Sequence, residues 1–399
     1  MDFYTGISEQ NIAATFKKIH KRIEGSSPSS NYLLTGKLGL VLYYFSLYEA
    51  FDDPDYANKS IELLEEVMNQ ESEIPAPLSG TGFATGMAGL GYILSVLQRA
   101  ELAQINLEED LKELDASMAE MALQQIISED RIDFLHGAMG VVHYFTTRSQ
   151  EPHIRQYIET LINALCSKAV VSTEGIWFRN FIIHEKEKER IDLGLSHGNA
   201  GFLLLLLNVM EAGVVIPGLR EVIAGGIRFI LSRQIQPDFE QVQYANFPFS
   251  VHSENSADIY FSQRLAWCYG DLNIILLLYR AAKYLNEPVW KEKADELALQ
   301  TLVRKDVSST LAADSHFCHG TAGLAQFYQT LYTITGDKRF TAAAEYWAEQ
   351  TLHFIEVELE DNFYNGKECD LLNGLPGINL VLLSRISNKD LTWTKLLLL

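Results

Sequence analysis

Seven times along this 399-residue chain, a Gly-x-x-Gly element or a near relative of it opens an apolar run. The first is Gly36-Lys37-Leu38-Gly39, followed by LVLYYFSLYEA; the second is Gly86-Met87-Ala88-Gly89, followed by LGYILSVLQRA. Gly137-Ala138-Met139-Gly140 and Gly198-Asn199-Ala200-Gly201 come next, then a degenerate copy, Gly270-Asp271-Leu272-Asn273. Gly320-Thr321-Ala322-Gly323 and Gly374-Leu375-Pro376-Gly377 complete the set. The first glycines are spaced from about 50 to about 72 residues apart, at or beyond the upper range of helical-hairpin repeats. One such tetrapeptide is only a turn or packing device, but seven in the same context define a repeat.

Between the glycine elements lie stretches with apolar residues at helical spacing, such as Ser60–Met68, Leu111–Ile127 and Phe340–Val357. Each unit reads as an amphipathic helix, a loop, and then a glycine-initiated helix apolar on most of its circumference. Helices of the second kind are buried and those of the first line an exterior. Seven such pairs predict an all-α fold, an α,α-toroid of about seven outer and seven inner helices spanning residues 1–399 as a single domain. At an inner-helix start, glycine permits close approach where a Cβ would clash. Seven gathered N-termini would also leave unpaired N–H groups at one end, an electropositive rim suited to thiolates and enolates.

Composition narrows the class. A 47% hydrophobic share supplies a large core, and no Pro/Ser-rich linker divides the repeat. The longest apolar run, around Phe202 to Val215, is broken by Asn208 and Glu211, short of the ~18 residues of a membrane span. The start, MDFYTGISEQ, lacks the basic patch and apolar core of a signal peptide, so a cytoplasmic protein is expected. A net charge of −20 argues against nucleic acid as a partner; it suits a solvated outer layer or a basic peptide. Four cysteines in that compartment are not expected to form disulfides. Two segments depart from the repeat, near 171–192 (Ile176-Trp177-Phe178-Arg179, then the charged run His184–Arg190) and at 236–263. Both lead into the glycine-bearing end, where they would roof a cavity or merely fill a tolerant surface loop.

The chemistry sits just before the glycines. Cys268, in Trp267-Cys268-Tyr269-Gly270, lies two residues before its glycine; Cys318 and His319 occupy the two positions before Gly320. Two thiolates and an imidazole, with a fourth position left over, describe a catalytic zinc site better than a structural one, which closes with four protein ligands. A thiol bound there is deprotonated and becomes a nucleophile. His197 immediately precedes Gly198, and Asp133 lies four residues before Gly137. They read as a proton-handling pair, the carboxylate orienting the imidazole. Arg264, four residues before Cys268, is placed to stabilise negative charge, and Tyr269 to wall the pocket or donate a proton. His136 stays open between a second base, a substrate contact and a structural histidine, and His316 is likewise ambiguous. Cys166 reads as core, and Cys369 has no assigned role.

The set Leu195-Ser196-His197-Gly198, Trp267-Cys268-Tyr269-Gly270 and Cys318-His319-Gly320-Thr321-Ala322-Gly323 resembles the lanthionine synthetase C-like proteins, the lantibiotic cyclases, over nearly the whole chain. The length resembles a stand-alone cyclase of a class I pathway. The resemblance implies an α,α-toroid with one zinc held by Cys268, Cys318 and His319. It implies intramolecular Michael addition of peptide cysteine thiols to dehydroalanine or dehydrobutyrine, giving lanthionine or methyllanthionine rings. His197 matches the family's acid–base histidine, and Asp133, Arg264 and Tyr269 match its aspartate, arginine and tyrosine. The implied partners are a dehydrated precursor peptide and a dehydratase and exporter complex, through which the protein would be peripheral to a membrane without being integral to it. Two departures stand out: His136 before the third glycine, and Asn273 where the fifth unit should end in glycine.

Four other readings compete. A non-cyclising relative would keep zinc and bind glutathione or another thiol. A toroidal glycosidase needs two carboxylates across a sugar, for which only Asp133 and Asp271 are prominent. A zinc prenyltransferase needs basic residues for a diphosphate, and Arg264 is the main one visible. A helical scaffold without catalysis would leave Cys268, Cys318 and His319 a coincidence.

Overall fold

The computed structural model describes residues 9–69, 78–103, 105–181, 189–255 and 258–399. The opening residues MDFYTGIS and the charged run 182–188 lie outside the described residues. Among the described residues, fourteen helices carry the repeat, and they alternate strictly in type. The amphipathic set is α1 (Glu9–Glu24), α3 (Pro54–Asn69), α5 (Lys112–Gln124), α7 (Pro152–Ser167), α9 (Leu219–Ser232), α11 (Pro288–Thr301) and α13 (Lys338–Glu360). The glycine-initiated set is α2 (Lys37–Phe51), α4 (Met87–Arg99), α6 (Ala138–Thr146), α8 (Asn199–Glu211), α10 (Asp271–Leu285), α12 (Thr321–Thr335) and α14 (Leu375–Ile386).

Burial follows the sequence pattern of each set. In α1, Ile12, Phe16, Ile19 and Ile23 are buried, one stripe at spacings of three and four. In α8, every residue from Asn199 to Leu207 is buried, so this helix has no solvent face over those residues. Each fully buried leucine there contributes roughly 1.5–3 kcal/mol relative to exposure.

Packing divides the chain into two compact units, one of residues 9–69 and 311–399, the other of residues 78–310. In the first, α2 packs with α3 and α12 with α13, while α14 packs against both α2 and α12. The last glycine helix takes α1, from the other end of the chain, as its amphipathic neighbour. Tyr43 of α2 ties these together: its hydroxyl accepts a hydrogen bond from Asn379 Nδ2 of α14 (2.7 Å) and lies 2.8 Å from His20 Nδ1 of α1. In the second unit α4, α6, α8 and α10 pack in series, with α9 against α8 and α11 against α10. In three units, α2–α3, α10–α11 and α12–α13, the closest pairing is between a glycine helix and the amphipathic helix that follows it, as where the tight turn Asn286-Glu287 joins α10 to α11.

The glycines answer to a close approach. The loop before each helix folds back across the helix start, and a Cβ on Gly201 would lie 1.8 Å from the Leu195 carbonyl oxygen. Gly270 has φ +124°, a conformation that only glycine adopts readily, and its Cβ would meet the Arg264 carbonyl at 2.3 Å. The same fold-back corrects the expected rim of unpaired N–H groups. The first helical N–H donates to the carbonyl seven residues earlier in four loops: Lys37 to Ser30 (2.9 Å), Met87 to Gly80 (3.0 Å), Ala138 to Arg131 (3.1 Å) and Thr321 to Asp314 (2.9 Å).

Loops are linked through carbonyls at one repeated position, two residues before the first glycine. Ala84 N donates to Leu135 O (2.8 Å), Ser196 N to Cys268 O (3.0 Å), Cys318 N to Leu372 O (2.9 Å), and Leu371 N to Leu34 O (2.8 Å). Cys268 and Cys318 both occupy that linking position. At the degenerate fifth copy, Asn273 replaces glycine and its amide is fully used. Nδ2 donates to the carbonyls of Ala266 (3.2 Å) and Trp267 (3.0 Å), and Oδ1 accepts from Leu195 N (3.0 Å).

The two departures from the repeat form small sheets. Strands β1 (Val170–Ser172) and β2 (Gly175–Trp177) make a hairpin, with β2 packed along α9. Strand β3 (Arg190–Asp192) pairs antiparallel with β4 (Ser250–His252), and β4 with β5 (Ile259–Tyr260), so the two segments share one three-stranded sheet. The second segment is fastened to the start of α10 by Asp271. This fully buried carboxylate accepts from Asn246 N (3.1 Å) and Phe247 N (3.2 Å) and pairs with Arg304 Nη1 at 2.8 Å. Asp271 is thus a structural anchor, which removes one of the two carboxylates a glycosidase would need.

Candidate functional site

In the second unit the site is built on three loops. Leu195 N and Ser196 N both donate to the Cys268 carbonyl at 3.0 Å, so the His197 loop is fixed to the Cys268 loop. The Ser196 hydroxyl adds a 3.3 Å bond to the same oxygen. His197 Nδ1 lies 2.7 Å from Asp133 Oδ2, and Asp133 has no solvent exposure. The carboxylate is saturated: Oδ1 accepts from Leu135 N (2.8 Å) and His136 N (2.9 Å), while Oδ2 also accepts from Asn180 Nδ2 (3.1 Å). That leaves the imidazole's second nitrogen, Nε2, outside the contact with Asp133.

Sequence reasoning missed Asn180. Its Nδ2 also donates to the His197 carbonyl (3.0 Å), bridging both members of the pair. It directly follows Ile176–Arg179, which the sequence marked only as the head of an insertion. The β1–β2 hairpin and the turn after it deliver this amide to the site.

Charge in this cluster is set by opposing effects. Burial alone would push Asp133 up, but the hydrogen bond and charge of His197, helped by His136, hold it below the usual carboxylate value. Burial disfavours protonation of His197, yet the hydrogen bond and charge of Asp133, with smaller help from Asp192 and Cys268, outweigh it and raise its pKa. His136 stacks on His197 with ring centroids 6.0 Å apart and planes 12° from parallel. Burial lowers its pKa, so it is a neutral ring beside a more basic one.

Tyr269 is half-buried and packs on Phe249 at 5.4 Å. Phe249 and Tyr260 carry Arg190 over their faces, at 4.8 and 4.1 Å, so the sheet of the two inserted segments ends beside Tyr269. Arg264 is half-buried, and its carbonyl crowds Gly270. Trp267 is fully buried.

In the first unit, loop 314–320 is held as firmly. Ser315 N donates to Glu358 Oε1 of α13 (3.0 Å), the Ser315 hydroxyl lies 2.8 Å from the Tyr364 hydroxyl, and Phe317 N and Cys318 N share the Leu372 carbonyl. Cys318 and His319 are half-buried at the end of that loop.

Within the first unit, Asp314, His316 and His319 present ligand atoms within 4.8 Å of one another and suit a metal ion. The remaining cysteines differ. Burial pushes the Cys369 thiol up to about 12 and raises Cys166 as well, so neither is a ready thiolate.

A repeated set of glycine-initiated helices with chemistry gathered in the preceding loops defines a class, and the comparisons identify it. The profile of the lanthionine synthetase C-like proteins matches residues 27–398, and the chain belongs to that family. It is 23% identical over 394 residues to the nisin biosynthesis protein NisC of Lactococcus lactis subsp. lactis, covering 94% of this chain and 90% of that protein. It is 22% identical over 363 residues to the glutathione S-transferase LANCL1 of Danio rerio, covering 88% and 82% respectively. The solved structure of nisin cyclase superposes with a TM-score of 0.77 at 18% identity, covering 98% of this chain and 97% of that one. This likeness shows the fold to be all-α, of the α/α-toroid class expected from the glycine repeat. Among the described residues, no helix is long and apolar enough to cross a membrane.

Proposed function

We propose that this chain is a single-domain, cytoplasmic, zinc-dependent cyclase that joins cysteine thiols of a dehydrated precursor peptide to its dehydroalanine or dehydrobutyrine residues. The observation that carries the reading is the backbone link from Leu195 and Ser196 to Cys268. It fastens a buried, oriented acid–base pair, His197 and Asp133, to the loop bearing a thiol ligand. Family membership and the likeness to a nisin biosynthesis protein support a cyclase-type activity and a peptide substrate.

Cys268, Cys318 and His319 would hold the metal. Two sulfurs and an imidazole nitrogen are donors that zinc accepts, and three protein ligands leave a position for a substrate. Bound there, zinc lowers the pKa of an incoming thiol so that it attacks as thiolate. The remaining steps belong to the protein's own side chains. The thiolate sulfur adds to the β-carbon of the dehydro residue, a C–S bond forms, and the C=C electron pair moves to the α-carbon and its carbonyl. Protonated His197, kept in that state by Asp133, donates a proton to the α-carbon and is recharged by the proton of the next substrate thiol. Arg264 and Tyr269 are assigned to the developing enolate, on the strength of their place in the Cys268 loop. A dehydratase and an exporter remain the proposed partners, and association with them would make the protein peripheral to a membrane.

The addition is an isomerisation, so peptide mass does not change and loss of alkylatable thiol is the readout. Incubation with a dehydrated, cysteine-containing peptide should remove iodoacetamide-reactive thiols, with wild type far faster than His197→Gln. Equal rates for wild type and no enzyme, with zinc bound, would sink the cyclase reading. A second reading, transfer to a free thiol such as glutathione, is favoured by the comparable identity to the Danio rerio protein. Replacing the tethered thiol with glutathione in the same assay separates the two, because only the second reading yields an intermolecular adduct.

A further inference from the structure

The Asp314–His316–His319 cluster is not used by the proposed reaction beyond His319. His316 Nδ1 lies 2.9 Å from Asp314 Oδ1, and the His316 side chain is only 9% exposed. This nitrogen is buried and makes no hydrogen bond of regular geometry, so its contact with Asp314 is that of an ion pair rather than an aligned hydrogen bond. A buried ring nitrogen without a regular partner is costly, so such a group calls for an explanation. The rings of His316 and His319 stand edge to face with centroids 4.2 Å apart, and the ligand atoms of all three residues fall within 4.8 Å. Two ligands of one ion, each ~2.0–2.2 Å from it, sit roughly 2.8–3.6 Å apart, depending on the angle at the ion, without pointing at one another. That is the relation between the Asp314 oxygen and the His316 nitrogen.

The cluster is also held in place. A Cβ on Gly320 would lie 2.3 Å from Asp314 Oδ1, so the carboxylate is tucked against backbone. Asp314 Oδ1 accepts from His316 N (3.3 Å), and the neighbouring Ser315 is bonded to Glu358.

We propose that Asp314, His316 and His319 form a second metal position, of two nitrogens and an oxygen, for a borderline divalent cation of the zinc class. A neutral imidazole has one lone pair for a metal, so His319 serves either this set or the thiolates, not both. The second position therefore needs no thiolate ligand. This goes beyond the cyclase reading and does not depend on turnover.

Cobalt(II) titration of the full-length Cys268→Ala/Cys318→Ala protein tests it. We expect one cobalt per chain with visible d–d bands and no thiolate-to-cobalt charge-transfer band, and at least a ~10-fold weaker affinity once His316→Gln is added. No cobalt bound by the double variant, or binding unmoved by His316→Gln, overturns the proposal. If the double variant fails to fold by circular dichroism, wild type with its accessible thiols blocked by methyl methanethiosulfonate gives the same two outcomes.

Discussion

Two aspartate–histidine clusters sit in glycine-loop positions of this protein, and they use the same residue types differently. Asp133 and His197 are aligned at 2.7 Å, and every oxygen of that carboxylate already has backbone or amide donors. Asp314 and His316 are almost as close, at 2.9 Å, but misaligned. A saturated carboxylate fixes one tautomer and one charge state of its histidine, which suits a proton. A misaligned pair beside a third ligand suits a cation. Residue identity and spacing therefore do not decide between proton and metal; the donors around the carboxylate do.

The strongest way to break this contrast is His197→Gln. Thiol loss in the peptide assay should fall by ~10²–10⁴-fold, the usual size of a general acid–base contribution, with zinc content unchanged. Loss of zinc in this variant would mean that His197 is a ligand and the contrast is misplaced.

A smaller effect is expected from Asn180→Ala, which leaves the ion pair but removes the amide that bridges its members. A cost of ~1–2 kcal/mol corresponds to about a tenfold rate loss. An unchanged KM for the peptide would mark Asn180 as a positioning residue, whereas an unchanged rate would show that Asp133 alone suffices.

The pH dependence sharpens the comparison further. His197 is raised, so its contribution to stability is fully present below the usual imidazole value of ~6.5 and is lost as pH rises through the higher folded value. Asp133 is lowered, so its contribution is present above the usual carboxylate value of ~3.9 and is lost as pH falls through the lower folded value. Denaturant melts of wild type against Asp133→Asn should differ most between these limits. In the variant, the His197 titration seen by NMR should move to lower pH.

The smallest effect is expected from His136→Phe, which keeps a stacked ring on His197 and the backbone bond to Asp133. A rate within about twofold, the size of an ~0.5 kcal/mol change, fits a neutral stacking partner. A fall approaching that of His197→Gln would make His136 a second base.

Much of the fold was legible because its cause is local. A loop that folds across a helix start forbids a Cβ, so glycine recurs at the same offset, and Gly201 beneath the Leu195 carbonyl shows why. Asn273 broke that pattern because its amide makes the loop contacts itself, something that only the three-dimensional loop shows. The alternation of helix types was equally visible, while the pairing of α1 with α14 was not, since it joins opposite ends of the chain. The rim of unpaired N–H groups was expected from helix ends in general and overlooked the carbonyls of the preceding loops. In the site, Asp133 and His197 were readable as types at repeat positions. Asn180 was not, because it lies outside the repeat and reaches the site through the β1–β2 hairpin. Asp271 looked chemical in the sequence, and its buried partner Arg304 makes it structural.

The central claim is a thiolate-bound zinc beside an oriented acid–base pair, and X-ray absorption at the zinc edge tests it most directly. Wild type, purified without a metal-affinity tag and reconstituted with zinc, should show two sulfur neighbours at ~2.3 Å and nitrogen or oxygen at ~2.0–2.1 Å. Cys318→Ala should lose at least one sulfur. A wild-type spectrum with no sulfur neighbour would contradict the account.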